Sequence, residues 1–303
     1  MYNKVKKQKN YKGLMSFSSS LFAILAGFIF AFIVLLVSEP TEAINGFITI
    51  LKGGFTDGLT GLSRLIYFAI PIIMTGLSIA FAFKTGLFNI GASGQFIIGA
   101  YAAVHIGVRW TFLPDSIHWI VALIGAAIAG ALWGAIPGIL KAIANVNEVI
   151  ASIMTNYIGT YLVNILVVKY VFDQLRNQSL DVETSAVIPQ LGIPGTDINY
   201  SIIIAIIFVI LTYILLEKTI IGYELKACGQ NRFASKYAGI NEKKNIILSM
   251  VIAGLLSGIG GGLMYLYGAG KYIQVLDIIA PEGFSGISVA LFGQSNPIGV
   301  LLA

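Results

Sequence analysis

Apolar residues run through this chain in long stretches, not in the alternating patterns of a soluble fold. The segments at about 18–38, 63–83, 86–107, 119–140, 147–169, 200–217, 245–267 and 283–303 each approach the roughly 20 mostly apolar residues that cross a bilayer as a helix. Polar residues gather in the intervals between them. The pattern predicts an all-α, polytopic helical membrane protein of about eight spans. Residues 1–17 form a basic tail and 18–303 a single transmembrane domain.

Two intervals stand out. Residues 170–200 hold Asp173, Arg176, Asp181, Glu183, Pro189, Pro194 and Asp197, a polar, turn-rich loop that predicts a short surface helix or a hairpin. The second interval is the loop 218–244, and within it 222–240, GYELKACGQNRFASKYAGI. It predicts a helix from Tyr223 to Cys228, a break at 229–231, and a short helix from Arg232 to Tyr237 closed by Gly239. Leu225, Ala227, Phe233, Ala234, Tyr237 and Ala238 give it an apolar side, with Glu224, Lys226, Arg232 and Lys236 around them. Such an element suits docking in a groove of a soluble partner; a solvated loop is the alternative.

Composition supports the membrane reading: the 303 residues are 57% hydrophobic and only 11% charged. The net charge of +5 does not point to nucleic acid, because the basic residues lie between apolar runs and not on a soluble module with aromatic platforms. Their placement instead sets orientation. With the N-terminus in the cytosol, thirteen of the 19 basic residues fall inside: five lysines before residue 13, then Lys84, Lys141, Lys218, Lys226, Arg232, Lys236, Lys243 and Lys244. Lys52, Arg64, Arg109, Lys169, Arg176 and Lys271 fall outside. The basic start resembles a secretory signal, but Ser38, Glu39 and Pro40 follow the first apolar run without a small-x-small cleavage site, which predicts an uncleaved span. The last apolar run ends at Ala303 without basic anchors, so a C-terminal truncation is expected. Cys228 is the single cysteine and excludes an internal disulfide, a CxxC pair or a cysteine-rich metal cluster.

Three stretches carry candidate chemistry. In 86–96, GLFNIGASGQF, the glycines weaken the helix and Asn89, Ser93 and Gln95 bring polar groups into an apolar setting. Exposed backbone at that depth persists only inside protein or beside a water-lined cavity, so the stretch predicts either a substrate path or close helix packing. In the span from Asn147, the residues Glu148, Ser152, Thr155, Asn156, Thr160 and Asn164 recur at helical spacing and share a face that lines a path or a packed interface. The third stretch, 283–303, weakly repeats 86–103, placing Gln294 in the role of Gln95, as an internal duplication would. The candidate path is therefore Asn89, Ser93, Gln95, Glu148, Ser152, Thr155, Asn156, Asn164 and Gln294. SGIGGG at 257–262 lacks the strand and acidic residue of a dinucleotide site and predicts tight helix packing. Gly270-Lys271 has Tyr265 where a phosphate loop needs its first glycine, so ATP has no site on this chain. The GASG around Ser93 resembles the nucleophile motif of rhomboid proteases, but His105 and His118 are poorly placed to act as its base.

Four ordered blocks carry a family resemblance: GLFNIGASGQFIIGAYAA at 86–103, NVNEVIASIMTNYIG at 145–159, GYELKACGQNRFASKYAGI at 222–240 and PEGFSGISVALFGQSNPIG at 281–299. Over roughly residues 60 to 303 the chain resembles permeases of ATP-binding-cassette importers of the ribose and branched-chain amino-acid superfamily. It most resembles the branch that works with basic membrane lipoproteins in nucleoside uptake; a sugar such as ribose is the alternative cargo. The resemblance implies a partnership of two permease subunits, identical or related, with two cytosolic ATPases and an external receptor lipoprotein. ATP would be bound by the partner ATPase, with no cofactor on this chain and lipid as its surroundings. It also implies that 222–240 is the element that meets the ATPase, through Gly222, Glu224, Gly229, Asn231, Arg232, Lys236, Tyr237 and Gly239. A passive channel or scaffold would treat that loop as ordinary surface.

Overall fold

The structure, a computed structural model, describes residues 21–55, 57–268 and 270–303, so the basic tail at 1–17 lies outside the described residues. Helix follows helix, because in a bilayer backbone groups must find their partners within the chain. The order begins with α1 (Leu21–Ser38). It continues through α2 (Ala43–Lys52), α3 (Gly58–Lys84), α4 (Ala92–Arg109), α5 (Asp115–Ala144) and α6 (Glu148–Tyr170) to a small hairpin, β1 (Phe172–Asp173) and β2 (Gln178–Ser179). Then come α7 (Ser201–Lys218), α8 (Ile220–Gln230), α9 (Arg232–Tyr237), α10 (Glu242–Tyr265), α11 (Pro281–Phe292) and α12 (Pro297–Leu302). The chain divides into two units at Leu62 and Ser63. In the first, Phe47 of α2 meets Phe28 and Phe32 of α1, with ring centroids 6.3 and 5.0 Å apart.

The second unit is built around α10, which packs most heavily against α5 and α4. The α5 face that it meets is Ala122, Ala126, Gly130, Gly134 and Gly138, one residue every four; α10 answers with Met250, Gly254, Gly258 and Gly262 at the same spacing. That interval keeps each set on one stripe. A Cβ added at Gly130 would lie 2.7 Å from the Cα of Gly258, so the two backbones touch. Lipid offers no hydrophobic drive between helices, and close approach through small residues supplies van der Waals contact instead. On the other side of α5, Ile124, Ile128 and Leu132 are exposed toward lipid.

The ends of the helices form two separate clusters. At one end Lys141 pairs with Glu148 at 2.8 Å, Thr85 and Ser249 share a hydrogen bond, and Asn245 Nδ2 donates to Glu224 at 3.4 Å. At the other end Arg109 Nε donates to the Tyr170 carbonyl at 2.7 Å, and His118 Nε2 and the Ile106 carbonyl are 3.0 Å apart. The loop at 171–200, which contains the expected hairpin, closes that end: Glu183 N–H donates to Gly107 O at 3.1 Å and Ile188 N–H to Leu266 O at 2.9 Å. On the orientation expected from the positive-inside count, the first cluster is the cytosolic end and the second the external end.

Among the described residues, six helices are long and apolar enough to cross a membrane: α1, α3, α5, α6, α7 and α10. The other two expected spans take different forms. At 86–107 the chain first runs without helix through 86–91 and only then enters α4, whose first turn packs beside Asn156 and whose last residue bonds Tyr170. At 283–303 it breaks into α11 and α12, because Gln294 and Ser295 both adopt φ of +54° and Pro297 then starts a new helix. The cytosolic segment also differs slightly. Its first helix starts at Ile220, three residues earlier than the pattern predicts, because the Thr219 hydroxyl caps it by accepting from Gly222 N–H at 3.0 Å. The break falls on Asn231, whose side chain caps α9 through Ala234 N–H at 3.0 Å.

Candidate functional site

Most of the predicted path residues meet in one buried joint. The side-chain amides of Asn89 and Gln95 pair in both directions, at 2.8 and 3.0 Å, and Asn89 also donates to Ser78 at 3.1 Å. From α6, Asn156 accepts from Gly94 N–H at 2.8 Å and donates to Ile90 O at 2.9 Å. One side chain thus satisfies two backbone groups left bare where the chain turns into α4. Thr155 and Thr160 return their hydroxyls to their own helix, at Ser152 O and Asn156 O, and Trp133 Nε1 donates to Thr155 O at 3.2 Å. Asn156 lies eight residues into α6, a depth of about 12 Å. At the same level α11 begins: a Cβ on Gly283 would be 2.5 Å from Ser93 N. The hydroxyls of Ser93 and Ser152 are buried and have no partner among the described residues. His105 lies 3.2 Å from Tyr101 and His118 2.8 Å from Ser185, so neither histidine serves Ser93.

One turn above that joint, on the external side, lies a cavity of about 680 Å³. Tyr67 and Phe68 of α3, Thr160 and Asn164 of α6, Tyr265 of α10 and the strand-like strap at 271–280 form its walls, and Pro281 and Glu282 lie at the start of α11. Ser179 holds the strap by accepting from Ile273 N–H at 3.0 Å, and Asn164 Nδ2 holds it again by donating to Leu276 O and Asp277 Oδ1, both at 3.0 Å. Thr75 Oγ1 donates to Glu282 O at 2.9 Å and fixes the first turn of α11. Lys271 Nζ sits 4.1 Å from the centre of the Tyr67 ring, a cation–π contact. The Glu282 side chain is half-buried, and among the described residues no cation pairs with it.

Of the predicted path residues, only Asn164 lines this cavity. Glu148 lies at the cytosolic end with Lys141, and Gln294 lies in the exposed turn between α11 and α12. Sequence reasoning passed over Glu282, Tyr67, Tyr265 and the strap. The signal for Glu282 was a carboxylate opening an apolar segment in PEGFSG.

The segment at 219–241 has a fixed face and a bare one. Gly222, Leu225 and Cys228 are buried beneath α8. A Cβ at Gly229 would come within 2.5 Å of the Thr85 carbonyl carbon, and one at Gly86 within 2.5 Å of the Gly229 Cα. Since Gly86 has φ of +74°, two glycines let α8 rest directly on the turn that leads into 86–91. Glu224 reaches Asn245 and Arg232 approaches Glu242 at 4.0 Å, both on α10. The apolar side divides: Leu225 points inward, while Phe233 and Tyr237 are 81% and 95% exposed beside Lys236.

Residues 61–303 match the family described as branched-chain amino acid transport system / permease component. The chain is 38% identical to the guanosine ABC transporter permease protein NupP of Bacillus subtilis, over 93% of this chain and 81% of that protein. With the nucleoside ABC transporter permease protein NupB of Lactococcus lactis it shares 36% identity, over 77% of this chain and 66% of that protein. A glucose ABC transporter permease protein of Haloferax volcanii is 28% identical, over 82% and 68% respectively. No solved structure gives a significant match.

Proposed function

The chain belongs to the branched-chain amino acid transport system / permease component family, as a multi-pass cell-membrane permease subunit of an ABC importer and not an enzyme, and we propose that its cargo is a nucleoside. The observation that carries this reading is the 38% identity to a guanosine permease over nearly the whole chain. The external cavity agrees with it, since aromatic faces beside hydrogen-bonding groups suit a base joined to a sugar. The glucose relative favours a sugar as the second reading. Guanosine, other ribonucleosides and glucose all present neighbouring hydroxyl groups.

In this proposal the cavity is the external mouth of the path and the joint at Asn89, Gln95 and Asn156 is its closed floor. A receptor lipoprotein delivers cargo over the loop at 171–200, and a second permease subunit completes the path. Two cytosolic ATPases bind ATP and dock on α8 and α9 through Phe233, Tyr237, Arg232 and Lys236. Their closure moves α8; Gly229 passes the movement to 85–91, and the joint parts so that Ser93, Ser152 and Thr155 face the path. Uptake of labelled guanosine by cells carrying the complete system tests the cargo. Competition by unlabelled nucleosides but not by ribose, glucose or amino acids is the expected result; competition by sugars alone replaces it with the sugar reading.

A further inference from the structure

Glu282 is a carboxylate with a cavity before it and no cation beside it. It sits at the first turn of α11, level with the start of α4, well within the depth of α6. Holding such a charge at mid-bilayer is costly, and a partner or a water-filled cavity usually offsets that cost. Lys271, the cation that shares the cavity, lies instead on the Tyr67 ring. The start of a helix favours an acidic side chain and offsets part of the cost.

The α6 side chains at its floor have no donor left to offer. Asn164 has spent its Nδ2 on Leu276 and Asp277, leaving only its oxygen to offer. Thr160 has returned its hydroxyl to Asn156 O. The site therefore presents acceptors at its floor and, on its wall, tyrosine faces with the Lys271 ammonium over one of them. An anionic cargo meets an unpaired carboxylate; a neutral molecule with adjacent O–H donors meets a two-oxygen acceptor of matching geometry.

We propose that Glu282 accepts the vicinal hydroxyls of a sugar, so that the permease itself selects for the ribose of its cargo in addition to any selection by a receptor. The inference rests on the nucleoside reading for the identity of the sugar. It assigns Tyr67 and Tyr265 to the apolar faces of the same ligand, which leaves the base less strictly read than the diol.

The test compares the complete transporter carrying wild-type permease or Glu282→Gln, which keeps the shape and removes the charge. Uptake of guanosine, 2′,3′-dideoxyguanosine, ribose and glucose is measured per assembled complex. Wild type is expected to prefer guanosine over the dideoxy analogue by at least about tenfold, and the variant to lose most of that ratio through slower guanosine uptake. Because the receptor is the same in both, a change in the ratio belongs to the permease. A ratio unchanged by the variant, whether total uptake falls or not, overturns the role of Glu282 and leaves the nucleoside reading standing. Uptake of sugars in place of nucleosides, with sugar uptake lost in the variant, overturns the nucleoside cargo and supports the hydroxyl acceptor. Glu282→Asp, which keeps the charge on a shorter arm, is expected to recover part of the ratio.

Discussion

Asn156 and Asn164 lie two turns apart on one face of α6 and do different work. Asn156 holds Gly94 N–H and Ile90 O, so Asn156→Leu strands one buried backbone group, at about 1–3 kcal/mol, and one part-buried group at less. Its expected effect is on the fold: less protein in the membrane and a lower melting temperature in detergent. Asn164 holds the strap over the cavity, and Asn164→Leu is expected to lower uptake per molecule several-fold with a smaller loss of thermal stability. Measuring melting temperature and uptake on both variants separates the roles; the same ranking for both quantities counts against the division. The helical spacing of the polar stripe was legible in the sequence. Which member braces backbone and which faces open space was not, because the partners of Asn164 lie more than a hundred residues away at 276–277. Glu282 was hidden for a related reason: its cost exists only once α11 starts inside the membrane.

Among the elements, α8 and α9 were read nearly to their ends, since Gly229, Asn231 and Gly239 carry strong local signals. The start of α8 was missed because Gly222 reads as the start of the helix, while the Thr219 cap ahead of it is a single hydroxyl. The consequence of the Gly229 contact is testable. Gly229→Ala places a methyl against the Thr85 backbone, an overpacking of about 1–3 kcal/mol that forces α8 away from the turn. Uptake is expected to fall while the ATPases still copurify. The double variant Phe233→Ala, Tyr237→Ala removes two exposed rings, so its melting temperature should stay put while ATPase copurification is lost. Equal loss of copurification in both variants argues against one face coupling and the other docking.

For the whole molecule, basic residues mark both ends of the helices. Lys84, Lys141 and Lys218 end helices on the side of α8 and α9, and Arg109 and Lys169 end helices on the side of the hairpin. In a Cys228→Ser background, Leu175→Cys is expected to react with a membrane-impermeant maleimide on intact cells, and Tyr237→Cys only after the membrane is opened; the reverse pattern inverts the orientation. The number of full spans was less legible, because hydropathy counts apolar residues and does not register where glycine, asparagine and proline stop a helix partway. The four-residue stripe of α5 was open to reading and was missed, its small residues dissolved in a uniformly apolar run. That stripe sets a limit on how the molecule can move. Where α5 and α10 meet there are hardly any side chains to change rotamer, only backbone against backbone, so the pair has no series of small slips available to it. In the proposed transport cycle it is the fulcrum about which the alternating parts turn.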